Sequence, residues 1–178
     1  MTRTALLAAA VLAALLAGCS SHPVAPAVPS STATDSAVSA AQCREQARAW
    51  LDSSGGNGLS AAGTDVGTLG SEMQAFSGDL GSGAPTGADE QGIRSAADAV
   101  QVDAQALQAD PGPSCIPGMR AGLTAAAVDF SQAASDADTA MDQYDAGNAS
   151  AAITDIQAIS PLSSNGNAEL AKATSVIS

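Results

Sequence analysis

Seven apolar residues, Leu59, Ala62, Val66, Leu69, Met73, Phe76 and Leu80, follow one another at spacings of 3, 4, 3, 4, 3 and 4. Only an α-helix brings positions so spaced onto one side, because a strand alternates with period two. A seam this long must be covered by other helices. Further seams supply the cover. Ile93, Ala97, Val100, Ala104 and Leu107 form one, and Leu123, Ala127, Phe130, Ala134, Ala137, Met141 and Tyr144 another. Ala152, Ile156 and Ile159, then Leu170, Ala173 and Ile177, give a last apolar face. A shorter face, Cys43, Ala47, Trp50 and Leu51, precedes them all. No alternating pattern of useful length calls for a strand.

The side chains on these seams are small. Hydrophobic residues make up 46% of the 178-residue chain, but aromatics only 2%. Alanine alone is roughly a quarter, well above ordinary usage. Such a core suits closely packed helices better than a sandwich of β-branched and aromatic strands. Gly63, Gly67 and Gly70 lie inside the first long seam. Each costs about 1 kcal/mol against alanine there, and each is small enough to let a neighbouring backbone approach closely.

Turn chemistry separates the seams. Gly55-Gly56-Asn57-Gly58 predicts a break, as do the stretch from Gly81 to Gly87, Asp110-Pro111-Gly112-Pro113, and Gly147. Asn148 is placed to cap the last helix, and Pro161 predicts a kink or break within it. The expected fold is therefore all-α: an up-and-down four-helix bundle over 59–81, 88–110, 117–146 and 148–177, with a short N-terminal cap helix over 40–53.

The first residues have a different character. Arg3 is followed by an unbroken run of alanine, leucine and valine from Ala5 to Leu16, shorter than a comfortable membrane span. The run closes in Leu16-Ala17-Gly18-Cys19. This resembles the bacterial lipobox. The resemblance implies export, a signal peptide over 1–18, diacylglycerol on Cys19 and anchoring to the outer side of the cell membrane. Acyl chains contribute about 0.8 kcal/mol per buried CH₂, so two anchor far better than one. Residues 19–39 hold Pro23, Pro26 and Pro29 among serine, threonine, alanine and valine, and read as a semi-extended tether. The domain follows over 40–178. Its alanine-, glycine-, aspartate- and threonine-rich, lysine-poor composition is similar to that of small helical actinobacterial lipoproteins.

Cys43 and Cys115 remain after Cys19 is lipidated. In an oxidising compartment an even pair reads as a disulfide. A full-length arm over 40–53 would put Cys43 at the opposite end of the bundle from Cys115. The bond therefore requires the first helix to lie across the end where the next begins. A Cys-x-x-Cys motif is absent, which argues against redox catalysis.

Charge and residue inventory exclude several functions. Six basic residues stand against eighteen acidic ones, a net charge of −12, which leaves no footprint for nucleic acid. The single histidine, His22, sits in the tether, so the domain has no histidine triad and no histidine-ligated metal or haem. Four glutamates, Glu45, Glu72, Glu90 and Glu169, without histidine cannot build a di-iron bundle. Asp138, Asp142 and Asp145 share one helical flank. As a site they would suit Ca²⁺ or another hard cation, but no Asp-rich glycine loop accompanies them, so they read as a solvated face. No acid, base and nucleophile set assembles, and no cofactor is called for. Trp50 reads as a plug beneath the cap, or else as an exposed binding anchor. The expectation is a lipid-anchored, non-enzymatic module that interacts with a protein partner at the cell envelope. The alternative is a small-ligand or cation-binding lipoprotein with a pocket between its helices. An apolar cavity between the 59–81 and 117–146 helices would favour that alternative.

Overall fold

The computed structural model describes residues 38–82 and 85–176. Among them the chain is entirely helical, with five helices and no strand: α1 (Ala40–Leu51), α2 (Ser54–Ser82), α3 (Gly87–Ala109), α4 (Pro117–Asp145) and α5 (Ala149–Ser175). The signal reading and the tether up to residue 37, including Cys19 and His22, lie outside the described residues, as does the seam residue Ile177.

Local chemistry accounts for the helix ends. Ser39 caps α1 reciprocally: its Oγ accepts from the Gln42 amide at 3.2 Å, and Gln42 Oε1 accepts from the Ser39 amide at 3.0 Å. At α3 the Thr86 amide and hydroxyl both donate to Asp89 Oδ2, at 2.6 and 2.8 Å. The backbone hydrogen bond from Thr86 holds the Asp89 carboxyl below its ordinary range. Pro117 opens α4 at a position whose N–H would be orphaned anyway. Gly112 and Gly147 turn the chain with φ of +87° and +79°, a region that L side chains rarely adopt.

One local expectation needs correction, and two are narrowed. The glycines at 55–58 do not separate α1 from α2 but form the first turn of α2. Asp52 and Ser53 make the link instead, and the glycines permit close packing there. A Cβ on Gly55 would fall 2.1 Å from the Trp50 ring, and one on Gly56 would fall 1.8 Å from the Leu51 carbonyl oxygen. Pro161 stands inside α5 without ending it. Asn148 occupies the cap position of α5, as expected, but makes no side-chain cap bond; its Nδ2 donates to Gln143 Oε1 at 3.1 Å.

The seams read from sequence face one core. Ala62, Val66, Leu69, Met73 and Phe76 of α2 are buried with the α3 seam from Ile93 to Leu107. Leu59, Leu80, Tyr144, Ile156 and Leu170 pack against them, partly exposed. Helix α4 buries the widest face, adding Met119, Ala126, Ala133 and Ala140 to its predicted seam. It packs along α3 on one side and α5 on the other, while α2 lies along α3. Phe76 and Tyr144 meet edge to face, ring centres 5.0 Å apart. At the α4–α5 contact Gly166 lies under the Phe130 ring, and Gly122 meets Ala173 and the Glu169 backbone. A Cβ on Gly166 would lie 2.3 Å from Phe130 Cε1, so the pair sets how near these helices come. No polar or charged residue is buried among the described residues.

Helix α1 buries only Ala47 fully. Cys43 is bonded to Cys115, with the Cα atoms 5.8 Å apart, which ties α1 to the link between α3 and α4. Trp50, half-buried over Gly55, donates from Nε1 to Asp110 Oδ2 at 2.8 Å. The indole thus covers apolar surface and also satisfies its one donor.

Candidate functional site

Helices α2 and α5 touch only sparsely, unlike the other long-helix pairs that pack together. An open groove of about 480 Å³ runs between them. Its α2 side is built by Gly63, Val66, Gly67, Gly70, Met73, Gln74 and Ser77, and its α5 side by Ile156, Gln157, Ser160, Ser163, Ser164 and Asn167. Val66 and Met73 are buried and form the floor with half-buried Ile156, while the glycines and most hydroxyl and amide side chains stand higher and exposed. None of the thirteen lining residues is charged.

The helix register explains this neutrality. Asp65, Glu72 and Asp79 each follow a groove residue of α2 by two positions, about 200° around the helix. They therefore face away from the groove. Glu72 reaches Gly92 of α3, and Asp65 acts on Asp103 of α3. A Cβ built on Gly63, Gly67 or Gly70 would meet nothing within 4 Å. No described residue fills the room these glycines leave.

The groove does not lie between 59–81 and 117–146, where an apolar cavity would have favoured the small-ligand alternative. The open side of α2 faces α5 rather than α4. The α2 half of the groove was visible in the glycine spacing of 4 and 3. The α5 half was missed, although Ser160, Ser163, Ser164 and Asn167 carry the same kind of signal.

The acidic flank of α4 already has a cation beside it. Arg94 Nη2 of α3 donates to Asp142 Oδ1 and Asp145 Oδ2, both at 2.9 Å. These hydrogen bonds, that to Asp142 foremost, hold the guanidinium pKa up. Asp138 stands apart from the pairing. Partial burial raises its carboxyl pKa, and the charge of Asp98 raises it further. Burial likewise raises Glu90, reinforced by Asp145. Among the described residues no group of three or more histidine, cysteine, aspartate or glutamate side chains is arranged to hold a metal ion.

A carboxyl pair that the sequence reading did not single out joins α2 to α3. Asp103 Oδ2 is buried without a hydrogen-bond partner. Burial first, then the neighbouring carboxyl of Asp65 and its charge, push Asp103 up to about 6.

Among the described residues no helix is long and apolar enough to cross a membrane. Comparison of the chain with protein-family models, with curated proteins and with solved structures finds no match.

Proposed function

We propose that this protein is a lipid-anchored extracytoplasmic module that acts by binding at the cell envelope and not by catalysis. In this reading α2–α5 form an up-and-down four-helix bundle, α1 caps one end, and residues 19–39 tether the domain to a lipid on Cys19. One observation carries the binding role: the open groove between α2 and α5, lined by no charged residue, on an otherwise acidic protein. Its volume falls in the range of ligand sites, and Val66, Met73 and Ile156 give it an apolar floor, although its walls are more polar than those of most such sites. The hard-cation alternative draws less support, because Arg94 already satisfies Asp142 and Asp145.

The test is crosslinking of the lipidated protein in cells, with mass spectrometry of the adducts. A single envelope protein, lost on substitution of groove residues, is the expected result. Absence of any stoichiometric protein adduct would move the assignment to a small-ligand role. Cys19→Ser separately tests the anchor and should release the protein from the membrane fraction. Unchanged retention would reject lipidation.

A further inference from the structure

We infer that the Cys43–Cys115 bond is a redox latch: a dithiol reductant opens it by attack at the Cys115 sulfur, and α1 then leaves the end of the bundle while α2–α5 stay folded.

Little else holds α1. Of its twelve residues only Ala47 is fully buried. Cys43, Trp50 and Leu51 are half-buried, and the rest are exposed. One hydrogen bond, from Trp50 to Asp110, fastens its far end to the link after α3. So few buried contacts place α1 at the low end of local stability. A helix of this length is also marginal by itself in water, so α1 does not persist as a docked element once the bond is gone.

The bond is placed for exchange. Cys43 lies in the first turn of α1, and Cys115 stands immediately ahead of Ile116, the N-cap residue of α4. The unsatisfied N–H groups at a helix start favour an anion, so both positions favour a thiolate. Charge acts in the same direction. Five cations stand among the described residues, and three of them, Arg44, Arg48 and Arg120, lie within five positions of Cys43 or Cys115. No ion pair among the described residues engages these three. Arg120 Nη1 donates to the Gly112 carbonyl at 2.7 Å, in the same link that carries Cys115. Glu45, Asp52 and Asp110 also stand at this end, which leaves it close to neutral on a chain of net charge −12. An attacking thiolate, itself an anion, is repelled less here than elsewhere on the molecule. The Cys115 sulfur has an exposed polar neighbour, Gln46, whose Oε1 lies 3.6 Å away. That side of the bond faces water, not the core.

The exchange balances in two displacements. One thiolate of the reductant attacks Cys115 Sγ; a mixed disulfide forms as the Cys43–Cys115 bond breaks, and Cys43 leaves as a thiolate. Cys43 is the better leaving group because its helix start and Arg44 stay beside it. The reductant's second thiol, once deprotonated, displaces Cys115 in the same way. Two electrons pass to the cysteine pair, the two protons lost by the reductant end on the two cysteines, and the reductant departs as its own disulfide. The pair is a switch and not a catalyst, since 72 positions separate the cysteines and nothing holds them together after α1 is released. Release also removes the Trp50 wall of a small apolar pocket over Gly55, Gly58, Ala106 and Leu107. On the tether reading above, it adds the length of α1 between lipid and bundle, about 18 Å at 1.5 Å per residue.

The experiment treats the full chain, in detergent and without denaturant, with dithiothreitol. Intact mass, Trp50 emission and helical circular dichroism are followed together. Both cysteines should be reduced, the emission should red-shift, and the helical signal should fall by no more than the twelve residues of α1 account for. Replacing two exposed cations, Arg44→Gln with Arg48→Gln, should slow reduction roughly tenfold at low salt and leave Tm of the oxidised protein unchanged. Reduction that proceeds only with global unfolding, rising with urea as unfolding does, would overturn the latch. Complete reduction with an unshifted emission would overturn it too, because α1 would then stay docked without the bond. A rate untouched by the loss of both arginines would overturn exchange favoured by this site. The lipid takes no part in the assay, so failure of the anchor reading and failure of the latch are told apart.

Discussion

Trp50 and Asp110 are sixty residues apart in sequence and joined by one hydrogen bond, Nε1 to Oδ2 at 2.8 Å. The bond fastens α1 to the C-terminal end of α3. Trp50 is the only tryptophan in the chain, so its fluorescence reports the docking of α1. Asp110→Ala should red-shift the emission and increase quenching by acrylamide while helical circular dichroism stays nearly constant. An unshifted spectrum would mean that the indole is held by apolar packing alone.

The Cys43–Cys115 bond closes a loop of 72 residues. The chain-entropy estimate for such a loop is about 4.5 kcal/mol, a large share of the 5–15 kcal/mol typical of a domain. Both thiols should resist labelling in the native protein and label fully after reduction, as read by intact mass. Cys115→Ser should lower denaturant stability by an amount of that order, about 2–5 kcal/mol. Free labelling without reductant would show the bond to be absent.

The glycines divide into two groups with opposite expected effects. Gly63→Ala, Gly67→Ala and Gly70→Ala meet no neighbour, so each should stabilise by about 0.5–1 kcal/mol in urea unfolding. Gly166→Ala meets the buried Phe130 ring and should destabilise by about 1–3 kcal/mol. Equal effects in the two groups would contradict the packing described.

Acid should strengthen part of this fold. Asp103 is raised to about 6 in the folded protein against 3.8 for the free side chain. The folded state therefore binds the proton more tightly between those values. Stability should rise as pH falls through 6 and level off near 4. Asp103→Asn mimics the protonated form, so it should raise Tm at pH 7.5 by roughly 2–5 °C and flatten the rise between pH 7 and 5. A parallel pH profile in wild type and variant would assign the rise to general charge repulsion.

Millimolar Ca²⁺ should leave Tm unchanged, because Arg94 already pairs with Asp142 and Asp145. A chelator-reversible shift of several degrees would make the α4 flank a cation site after all.

The core was legible in the sequence because burial forces a period. Every predicted seam residue of α3, from Ile93 to Leu107, is buried. The pairing of Cys43 with Cys115 was legible too, from cysteine parity and topology. The groove was harder to read. It is a place where α2 and α5 fail to pack, and periodicity records what is covered, not what is left open. Glycine at 55–58 misled for a related reason. The same missing Cβ that breaks an isolated helix admits Trp50 against the first turn of α2. Asp65 and Asp103 are ordinary acidic positions on their own helices, and only the approach of α2 to α3 makes them a pair.

The cross-link also determines how the domain bears mechanical load. A pull entering ahead of α1 reaches Cys43 within four residues of the start of the helix and crosses directly to Cys115. Everything from Arg44 to Ser114 then hangs as a side loop outside the covalent force path. Helices α2 and α3, and with them one wall of the groove, stay slack under tension that α4 and α5 would have to resist.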